Sequence, residues 1–542
     1  MKNIIIKVAG LLVLLAVLAS CQPKTGQETD TIKADNETAI VATESGTVAG
    51  YLDHGIFNFK GIPYAKAERF MPPQKPDSWE GVRSSRSYGP VCPINVASMI
   101  LSDEMEFAQQ HDFGYMNENC QNLNVWTPAI NDGSKRPVMV WLHGGGYTAG
   151  SSRELPTYDG LNLSKTRDVV VVSVNHRLNV LGFLDLSGVD EKYKYSANVG
   201  MLDVVAALQW VNANIAAFGG NPGNVTIFGQ SGGGGKVGTL MHMPSAEGLF
   251  HKAIMQSGAA GALQVKSITQ QVGFAILDVL GLKPSEVEKL KDIPHDELLV
   301  AGTAALQEVA AKNPGPGGLM GIPGWAPSVD GDVIPYQIGT PEGEAIAKNI
   351  PLMIGTNKNE FLASMFNPAI VSATDDNLMK ILQDSHGDKT DAFIETARKF
   401  YPGDKLSDIA DIDMMFRPGS VNYANNKSSI EGGAPVYMYL FSWQSPILDG
   451  SLKAVHCMEI AFVFNNIACN REQSGDSAEA YALADKMSSA WAQFARTGDP
   501  NIKNLPEWPV YTEADGATMF FDNTCAVKMG YDKEMMQFIQ HQ

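Results

Sequence analysis

The sequence is poor in charged residues and has no excess of positive charge. Charged side chains make up 18% of the 542 residues, below the roughly 25% of an average soluble domain. Lys and Arg number 41 against 59 Asp and Glu, for a formal net charge of −18. No cluster of basic residues interrupts this balance, although nucleic-acid-binding surfaces normally carry excess positive charge. Nucleic acid is therefore not an expected partner, and a hydrophobic content of 44% excludes a disordered chain.

Long apolar segments are also absent, apart from one at the N-terminus. Lys2 and Lys7 flank the start of this region, and the apolar segment spans residues 8–18. It is shorter than the roughly 20 residues that a membrane-spanning helix needs. A short apolar segment that follows basic residues is typical of a signal peptide, here residues 1–20. The motif LASC, which ends at Cys21, resembles a bacterial lipobox.

The lipobox predicts cleavage before Cys21 and attachment of lipid to that cysteine. The alternative is an ordinary secretory signal in which Cys21 is incidental. Residues 21–39 are polar and predict a flexible tether to the folded domain. Gln22 follows the cysteine where some lipoproteins have Asp, and by analogy with Gram-negative sorting this favours the outer membrane. We therefore expect an exported lipoprotein of the bacterial cell envelope that contacts the membrane only through its N-terminal anchor.

Cysteine is scarce, with six residues in the whole chain. If Cys21 carries lipid, five remain, so at least one of them has no disulfide partner. Cys92 and Cys120 flank a short, turn-rich stretch and are the best candidate pair, while Cys469 and Cys525 are a weaker one. An exported protein occupies a compartment where disulfides form. The Cys and His residues show no spacing typical of a zinc site, and we expect no metal or organic cofactor.

From about residue 136 the sequence alternates between short apolar segments and amphipathic ones. Residues 199–217 and 480–495 have apolar residues at helical spacing. Strands separated by helices predict an α/β fold with a mostly parallel sheet covered on both faces. We expect one large domain over residues 40–542, in which residues 260–345 and 365–430 are helical lid insertions. The predicted strands are residues 138–142, 168–174, 224–229, 252–256, 351–355 and 435–441.

One predicted strand ends in Gly229-Gln-Ser-Gly-Gly233, a match to the motif G-x-S-x-G. In this motif a sharp turn from strand to helix exposes the serine Oγ. A β-branched strand precedes the motif here, and a helix-capable segment follows it. Ser231 is therefore the predicted nucleophile, and the alternative is a glycine-rich turn without a catalytic role.

A second glycine-rich motif, His143-Gly-Gly-Gly146, follows an earlier predicted strand. Consecutive glycines allow backbone N–H groups to face a cavity without interference from side chains. Together with the N–H of the residue after the nucleophile, such groups form an oxyanion hole. We expect Gly145, Gly146 and Gly232 to be the donors and His143 to be structural, the alternative being a flexible surface loop.

The order Ser, acid, His found in α/β-hydrolases places the acid and the base after Ser231. His456 is the preferred base, because the apolar segment after it would hold a loop histidine in place. Glu360 is the preferred acid, because it follows the predicted strand 351–355. Asp330 is the alternative acid, although its sequence favours a turn carboxylate that accepts hydrogen bonds from its own backbone. The other histidines after Ser231 are His242, His251, His295, His386 and His541.

From about residue 41 to residue 530 the sequence resembles the type B carboxylesterase/lipase family. This family includes cholinesterases, mammalian carboxylesterases and bacterial para-nitrobenzyl esterases. The resemblance rests on many short motifs in the same order, which together make a chance match implausible. Besides the two glycine motifs, the matching segments are residues 69–73, 118–126, 175–183, 198–203, 218–222, 256–258, 329–331, 355–360, 456–464 and 494–500.

The resemblance implies an α/β-hydrolase fold and a serine carboxylic ester hydrolase that acts through an acyl-enzyme. It implies a small-molecule ester as the partner. It also implies a polar supporting role for Ser257 beside the triad. The other implied assignments are Ser231, Glu360 and His456 as the triad, Gly145, Gly146 and Gly232 as oxyanion donors, Cys92–Cys120 as a disulfide, and Arg69–Glu118 and Arg177–Asp203 as structural ion pairs.

The sequence departs from the family pattern around the nucleophile. Gln230 and Gly232 stand where relatives often have Glu and Ala, Asn221 replaces an Asp, and Cys457 after the histidine is not a general family feature. None of these changes removes a catalytic group. Because Gln230 is a neutral neighbour of the nucleophile, it predicts a preference for neutral esters over cationic ones.

Two other functions remain as alternatives. The family contains adhesion proteins that lost the serine, so a catalytically silent binding protein is one, although the intact Ser, Glu and His argue against it. A serine peptidase on the same fold is the other. Labelling by a fluorophosphonate separates the first from an enzyme, and matched ester and amide substrates separate the second from an esterase.

Overall fold

The computed structural model describes residues 31–98, 100, 102–259, 263–313, 324–362 and 373–538. The predicted signal peptide, Cys21 and the first part of the predicted tether lie outside these residues, as does His541. Residues 31–37 are exposed, and the first strand begins at Ile40.

The described residues contain sixteen strands, which form three sheets. They include all six segments predicted from the sequence. The strands are β1 Ile40–Thr43, β2 Gly46–Ala49, β3 Tyr51–Asp53, β4 Ile56–Pro63, β5 Val82–Ser84, β6 Asn122–Thr127, β7 Arg136–Leu142, β8 Val170–Val174, β9 Gly220–Gln230, β10 Lys252–Gln256, β11 Gln264–Val265, β12 Ser328–Val329, β13 Leu352–Asn357, β14 Val436–Phe441, β15 Thr518–Phe521 and β16 Ala526–Lys528.

Helices separate the strands of the sheet and form the two long insertions. They include the two segments predicted from helical spacing. The α-helices are α1 Asp103–Ala108, α2 Leu161–Arg167, α3 Asn179–Phe183, α4 Val199–Asn214, α5 Gly232–Met241, α6 Lys266–Val279, α7 His295–Lys312, α8 Pro341–Ala347, α9 Asp375–His386, α10 Thr390–Phe400, α11 Leu406–Ala410, α12 Phe416–Ser428, α13 Glu459–Val463, α14 Arg471–Ser474, α15 Ala478–Thr497 and α16 Tyr531–Met536.

The central sheet has eleven strands, in the order β16-β15-β14-β13-β10-β9-β7-β8-β6-β4-β3. The seven strands from β15 to β8 in this order are parallel, and the strands at both edges are antiparallel. This confirms the predicted α/β fold with a mostly parallel central sheet.

The central strands are buried on both faces, and successive side chains point to opposite sides of the sheet. In β7, Val138 and Val140 join the apolar cluster that contains Met201 of α4, whereas Trp141 joins the cluster that contains Trp491 of α15. Continuous apolar strands are what a parallel sheet between two helical layers requires. The helical stretch Glu191–Phe218 is long and apolar enough by composition to cross a membrane, but it packs mostly within the protein.

The strand register brings the ends of four strands to one edge of the sheet. Leu142 of β7 pairs with Gly229 of β9, and Gln256 of β10 pairs with both Gln230 of β9 and Gly355 of β13. The loops that leave the carboxyl ends of parallel strands share the same edge, where ligands bind in open α/β sheets. The two glycine motifs and Glu360 are therefore neighbours although they are far apart in the sequence.

Candidate active site

Ser231 occupies the sharp turn between β9 and α5. Its backbone has φ 55° and ψ −125°, a conformation that L-residues with a side chain rarely adopt. The turn is held on both sides, since the N–H of Ser231 donates to the carbonyl of Gln256 and its carbonyl accepts from the N–H of Gly235. The strained backbone is the geometry that the motif G-x-S-x-G predicts, and it directs the serine toward the cavity described below.

The glycines around Ser231 permit a very close approach of α5 to the sheet. A Cβ on Gly233 would overlap the carbonyl oxygen of Leu142, and one on Gly232 would overlap the backbone of Gly146. Each glycine within a helix costs up to about 1 kcal/mol relative to alanine, so helix propensity does not explain this run. Close packing explains it, and it places the N-terminus of α5 beside the loop that follows β7.

The loop after β7 contains the second glycine motif. Gly145 and Gly146 have φ of 78° and 62°, in the left-handed region that favours glycine. The loop turns back on itself, because the N–H of Ala149 donates to the carbonyl of Gly145 at 3.0 Å. Gly144, Gly145 and Gly146 all line the same cavity as Ser231. Of the three predicted oxyanion donors, Gly145 and Gly146 therefore line the cavity, and Gly232 packs directly against the backbone of Gly146.

Glu360 and His456 form a buried hydrogen-bonded pair. His456 Nδ1 donates to Glu360 Oε2 at 2.5 Å, and the backbone N–H of His456 donates to the carbonyl of Glu360 at 2.9 Å. The other carboxylate oxygen accepts from the N–H of Asn357 at 2.8 Å. The rings of Phe361 and Phe416 stack on the imidazole, with centroids 4.7 and 5.1 Å away. The histidine is therefore fixed in orientation from several directions.

The direct hydrogen bond between Ser231 Oγ and His456 Nε2 is not formed in this structure. Gln230 Nε2 instead lies 3.3 Å from each ring nitrogen of His456. Both Ser231 and His456 nevertheless line one cavity. Catalytic hydrogen bonds in unliganded enzymes are often long or misaligned, so the arrangement is consistent with a serine–histidine pair.

Three carboxyl groups surround the imidazole from different elements: Glu360, Glu459 of α13 and Asp413 before α12. Burial opposes the charged form of His456, but the charge and hydrogen bond of Glu360 outweigh it and raise the pKa of His456 above its usual value. Burial first, and then the charge of Glu360, raise the pKa of Glu459 and of Asp413. Glu459 is held by Gln256 and Asn357, with hydrogen bonds of 3.1 and 2.9 Å.

The cavity in front of Ser231 has a volume of about 430 Å³. Apolar atoms contribute most of its exposed surface, and the two acidic groups in it have partners. Glu106 Oε2 is 2.7 Å from His111 Nδ1, and buried Glu154 accepts hydrogen bonds from the hydroxyl of Tyr158 and the N–H of Ser151 at 3.1 Å each. Burial raises the pKa of Glu154. The lining residues are Met105, Glu106, Gln109, His111, Gly144, Gly145, Gly146, Thr148, Ala149, Glu154, Leu155, Tyr158, Ser231, Phe361, His456 and Cys457.

Gln230 is fully buried and is not among the residues that line the cavity. Its amide nitrogen faces His456, and its Oε1 accepts a 3.1 Å hydrogen bond from the thiol of Cys457. Cys457 has φ 70° and does line the cavity. The side chain of Gln230 therefore contacts the histidine, as a supporting residue would, rather than facing the space where a substrate would lie.

Ser257 is buried at the end of β10, with φ 47°. Its N–H donates to the carbonyl of Gly355 at 2.8 Å, but its hydroxyl has no hydrogen-bond partner among the described residues. The polar contact with the triad that the resemblance implies is therefore not made in this structure.

The ion pairs implied by the resemblance are both confirmed. Arg69 makes two hydrogen bonds with Glu118, through Nε and Nη2. Arg177 is buried against Asp203, with Nε and Nη2 donating at 2.8 and 2.7 Å. Both arginines also donate to backbone carbonyls, Arg69 to Leu290 and Ile293 and Arg177 to Glu68 and Met71. They join distant segments outside the cavity.

The competing acid and base residues lie in other environments. Asp330 accepts from the backbone N–H groups of Asp332 and Ile334, and it is the turn carboxylate that its sequence predicts. His386 ends α9 and stacks on Phe393 at 3.9 Å. It is buried, because the ring of Phe393 covers one face of the imidazole. His242 lies 3.5 Å from Glu344. Within the described ranges, no group of three or more His, Cys, Asp or Glu residues has the arrangement of a metal site.

Cys92 and Cys120 are both buried, and each thiol is free in this structure. The two thiols interact, and a hydrogen bond with Cys92 is the main reason why the pKa of Cys120 is raised. The disulfide between them stays a prediction, because the structure shows both thiols free. A disulfide closing a loop of this length would add about 3 kcal/mol to the free energy of unfolding. Peptide mapping of the protein without reduction should find the two residues linked, and alkylation of both thiols before reduction would contradict the disulfide.

Sequence reasoning missed several residues of the site. Helix α1 contributes Met105 and Glu106 to the cavity wall, and the following loop contributes Gln109, whose side chain donates to the carbonyl of His456 at 2.9 Å. Glu459 and Asp413 add two buried carboxyls next to the histidine. No motif marks Met105, Glu106, Gln109 or Asp413, although Glu459 lies within the family-like segment 456–464. The unusual Cys457 also carried a signal in the sequence.

Comparisons with known proteins agree with this geometry. A sequence profile of the carboxylesterase family matches residues 37–539. A para-nitrobenzyl esterase of Bacillus subtilis (strain 168) is 35% identical over 505 residues, 92% of this chain and 98% of that protein. A phenmedipham hydrolase of Pseudarthrobacter oxydans is 32% identical over 89% of this chain and 94% of its own length. The solved structure of a Clostridium hathewayi esterase that hydrolyses aliphatic aromatic polyesters has a TM-score of 0.82 and 37% identity, and the match covers 94% of this chain and 99% of that one.

Proposed function

Since this chain belongs to the carboxylesterase family and hydrolyses carboxylic esters, we propose that Ser231, His456 and Glu360 carry out the reaction. His456 Nε2 accepts the proton from Ser231 Oγ as the oxygen bonds to the ester carbonyl carbon. The carbonyl π electrons move to the oxygen, and the backbone N–H groups of Gly145, Gly146 and Gly232 receive the negative charge. Glu360 keeps Nδ1 protonated and stabilises the imidazolium that forms.

The tetrahedral intermediate then loses the alcohol, which takes the proton from His456 and leaves the acyl group on Ser231. Water then enters, His456 removes one of its protons, and the oxygen adds to the acyl carbon to form a second tetrahedral intermediate. This intermediate collapses as the bond to Ser231 Oγ breaks, His456 returns the proton to that oxygen, and the carboxylic acid departs. The general base must be neutral to accept a proton. Since Glu360 raises the pKa of His456, activity should fall as the pH drops through that raised value.

The observation that carries the proposal is the convergence of Ser231, the glycine loop and the Glu360–His456 pair on one cavity. A fluorophosphonate probe tests it, because such probes react with an activated serine and mimic the tetrahedral intermediate. We expect one probe per molecule, and mass spectrometry should find it on Ser231. Failure to label would favour a silent binding protein, and faster cleavage of an amide than of the matched ester would favour a peptidase.

We propose neutral carboxylic esters as the substrates. The two acidic side chains of the cavity are compensated, Glu106 by His111 at 2.7 Å and Glu154 by hydrogen bonds and by burial that raises its pKa. The exposed surface of the wall is largely apolar. Met105 of α1 and Phe361, which follows β13, both contribute to it. The transfer of an uncharged ester from water into such a cavity costs little free energy of hydration. A quaternary ammonium finds no unpaired carboxylate there that would attract its charge.

The preference should appear as a higher kcat/KM for an uncharged alkyl ester than for its isosteric choline ester. We expect a difference of about fivefold or more, equivalent to a single charge contact of roughly 1 kcal/mol. The measurement uses one acyl group, two alcohols of equal size and constant ionic strength. A wild-type preference for the choline ester would show that Glu106 or an aromatic ring binds the cation.

Gln230→Glu serves as the matched variant. Because residue 230 is buried against His456, a carboxylate there should further raise the pKa of His456 rather than attract the substrate. We therefore expect the acidic limb of kcat/KM to move to higher pH for both esters alike. A selective gain for the choline ester would show that the side chain at 230 reaches the substrate.

We further propose that the enzyme is exported and anchored by lipid at Cys21, in the outer membrane of a bacterial envelope. The support is the apolar segment 8–18, the motif LASC that ends at Cys21 and the polar tether after it. The first strand begins at Ile40, but Lys33 already pairs with Leu52 of β3, so the proposed tether is the part of residues 21–39 that precedes Lys33.

Cys21→Ser should release a soluble enzyme with unchanged kcat/KM. The reason is that removing the thiol abolishes lipid attachment, while the residue lies well before the first strand. Detergent-phase partitioning and mass spectrometry of the N-terminal peptide measure the change. A native N-terminal peptide without lipid would contradict the anchor, and the wild-type enzyme is the control.

A further inference from the structure

A fully buried lysine lies behind the glycine loop and takes no part in the reaction proposed above. Lys236 is on α5, the helix that begins beside Ser231, and its Nζ donates a 2.9 Å hydrogen bond to the carbonyl oxygen of His143. An ammonium group loses its hydration in the interior of a protein. Burial accordingly lowers the pKa of Lys236 to about 7. An apolar side chain would fill the same space without the free-energy cost of burying an ammonium group. The presence of a lysine therefore indicates a specific function at this position.

Four side chains from the packed elements face the ammonium group. The ring of Tyr147 is 5.7 Å from Nζ, and the charge of Glu154 favours the protonated lysine. The rings of His143 and His176 stack with centroids 5.3 Å apart. Burial first, and then the charge of Lys236, hold the pKa of both histidines well below the usual value. Both imidazoles are therefore held in the neutral form, and Lys236 is the residue that donates a hydrogen bond to the carbonyl of His143.

The glycine loop needs an external support of this kind. Its glycines have no side chains to pack, and two of them adopt left-handed backbone conformations. The glycine run at the start of α5 brings the helix against the loop. Lys236, in the second turn of α5, therefore reaches the carbonyl of His143, the residue directly before the loop glycines. A misplaced oxyanion donor is costly, because its hydrogen bond to the reacting oxygen depends on a preorganised position.

We propose that Lys236 is a positioning residue for ester hydrolysis, which ties α5 to the carbonyl of His143 and so fixes the backbone N–H groups that receive the oxyanion. The inference rests on the proposed function of the glycine loop. Lys236 exchanges no proton during the attack. As Ser231 Oγ bonds to the carbonyl carbon, the π electrons move to the oxygen, and the lysine acts only by holding the loop that accepts this charge.

Lys236→Met tests the proposal, because methionine keeps the length of the side chain and removes the donor and the charge. With p-nitrophenyl acetate we expect kcat to fall by about 10- to 100-fold, since a displaced donor costs less than the 10²- to 10³-fold loss of a deleted one. KM should change by less than threefold. A trifluoromethyl ketone, which adds to Ser231 and places an oxyanion in the loop, should lose affinity by the same factor as kcat/KM.

Lys427→Met is the matched control. Lys427 is also buried, and it donates to a backbone carbonyl, that of Ala347 at 2.8 Å, but it lies on α12 away from the loop. We expect its kcat and ketone affinity to stay within twofold of wild type. If Lys236→Met does not fold, Lys236→Gln, which keeps a shorter N–H donor, supplies the same comparison with a smaller expected loss.

The outcomes separate this inference from the proposed function. Unchanged kcat and ketone affinity in a folded Lys236 variant would overturn the role of the lysine. Equal losses in the Lys236 and Lys427 variants would overturn it as well, because they would indicate general destabilisation. Failure of the wild-type enzyme to react with a fluorophosphonate would instead overturn the assignment of Ser231.

Discussion

Ser231→Ala is expected to lower kcat by about 10⁶-fold while the fold is retained. The mutation removes the oxygen that forms the acyl-enzyme, and no other described nucleophile lies at the turn between β9 and α5. The backbone conformation of residue 231, with φ 55°, is set by the close packing of the flanking glycines and is equally strained for alanine. Thermal unfolding should therefore change little. Steady-state kinetics on a p-nitrophenyl ester and fluorophosphonate labelling measure the effect.

Ser85→Ala provides the control for this experiment. Ser85 is a fully buried serine whose hydroxyl has no hydrogen-bond partner among the described residues, and unlike Ser231 it follows β5 and does not line the cavity. Its variant should label and turn over like the wild type. Activity of the Ser231 variant within tenfold of the wild type would refute the nucleophile, and with it the proposed mechanism.

The main strands and helices follow from the sequence because their signals are local. β7, β8 and β13 are continuous apolar or β-branched segments, a composition typical of strands buried on both faces. Boundaries were less predictable where tertiary contacts decide them. Asp168, included in a predicted strand, instead ends α2 with φ 50° and accepts a 2.6 Å hydrogen bond from Arg136. That ion pair joins residues that are distant in sequence.

The two glycine motifs could be assigned from the sequence because their backbone conformations require particular residues. Glycines 145, 146, 232 and 233 stand where a Cβ would clash or where φ is positive. The residues of the cavity wall could not be assigned from the sequence. Met105 and Glu106 reach the site through the tertiary packing of α1, and no sequence motif identifies a methionine or glutamate at these positions.

Gln230 illustrates the limit of reasoning from neighbours in the chain. Its position beside Ser231 suggested a side chain that faces the substrate. Successive residues of a strand point to opposite sides of the sheet, however, and the amide of Gln230 is buried against His456 and Cys457. Residue 230 is therefore expected to act on the histidine and not on the choice between neutral and cationic esters. Lys236 was missed for a related reason, since a lysine in a helix is normally exposed.

His456→Ala is expected to lower kcat by about 10⁶-fold, as much as the loss of Ser231 itself, because the two residues act as one unit. Without the imidazole, Ser231 Oγ keeps its proton and remains a weak nucleophile. Stability should also fall, by about 3–5 kcal/mol, since Glu360 would keep a buried negative charge without its histidine partner. Kinetics and chemical denaturation of the same preparation separate the loss of turnover from the loss of folded protein.

Glu360→Gln and His386→Ala complete the comparison. The first keeps the shape of the acid and removes its charge, so the histidine loses orientation and stabilisation but remains the base, and we expect a loss of about 10⁴-fold. The second removes a nearly buried histidine that stacks on Phe393 at 3.9 Å outside the cavity, and its effect should be confined to stability. If His456→Ala retained more activity than Glu360→Gln, the base would have to be another group, since an acid that acts only through the histidine cannot matter more than the histidine does.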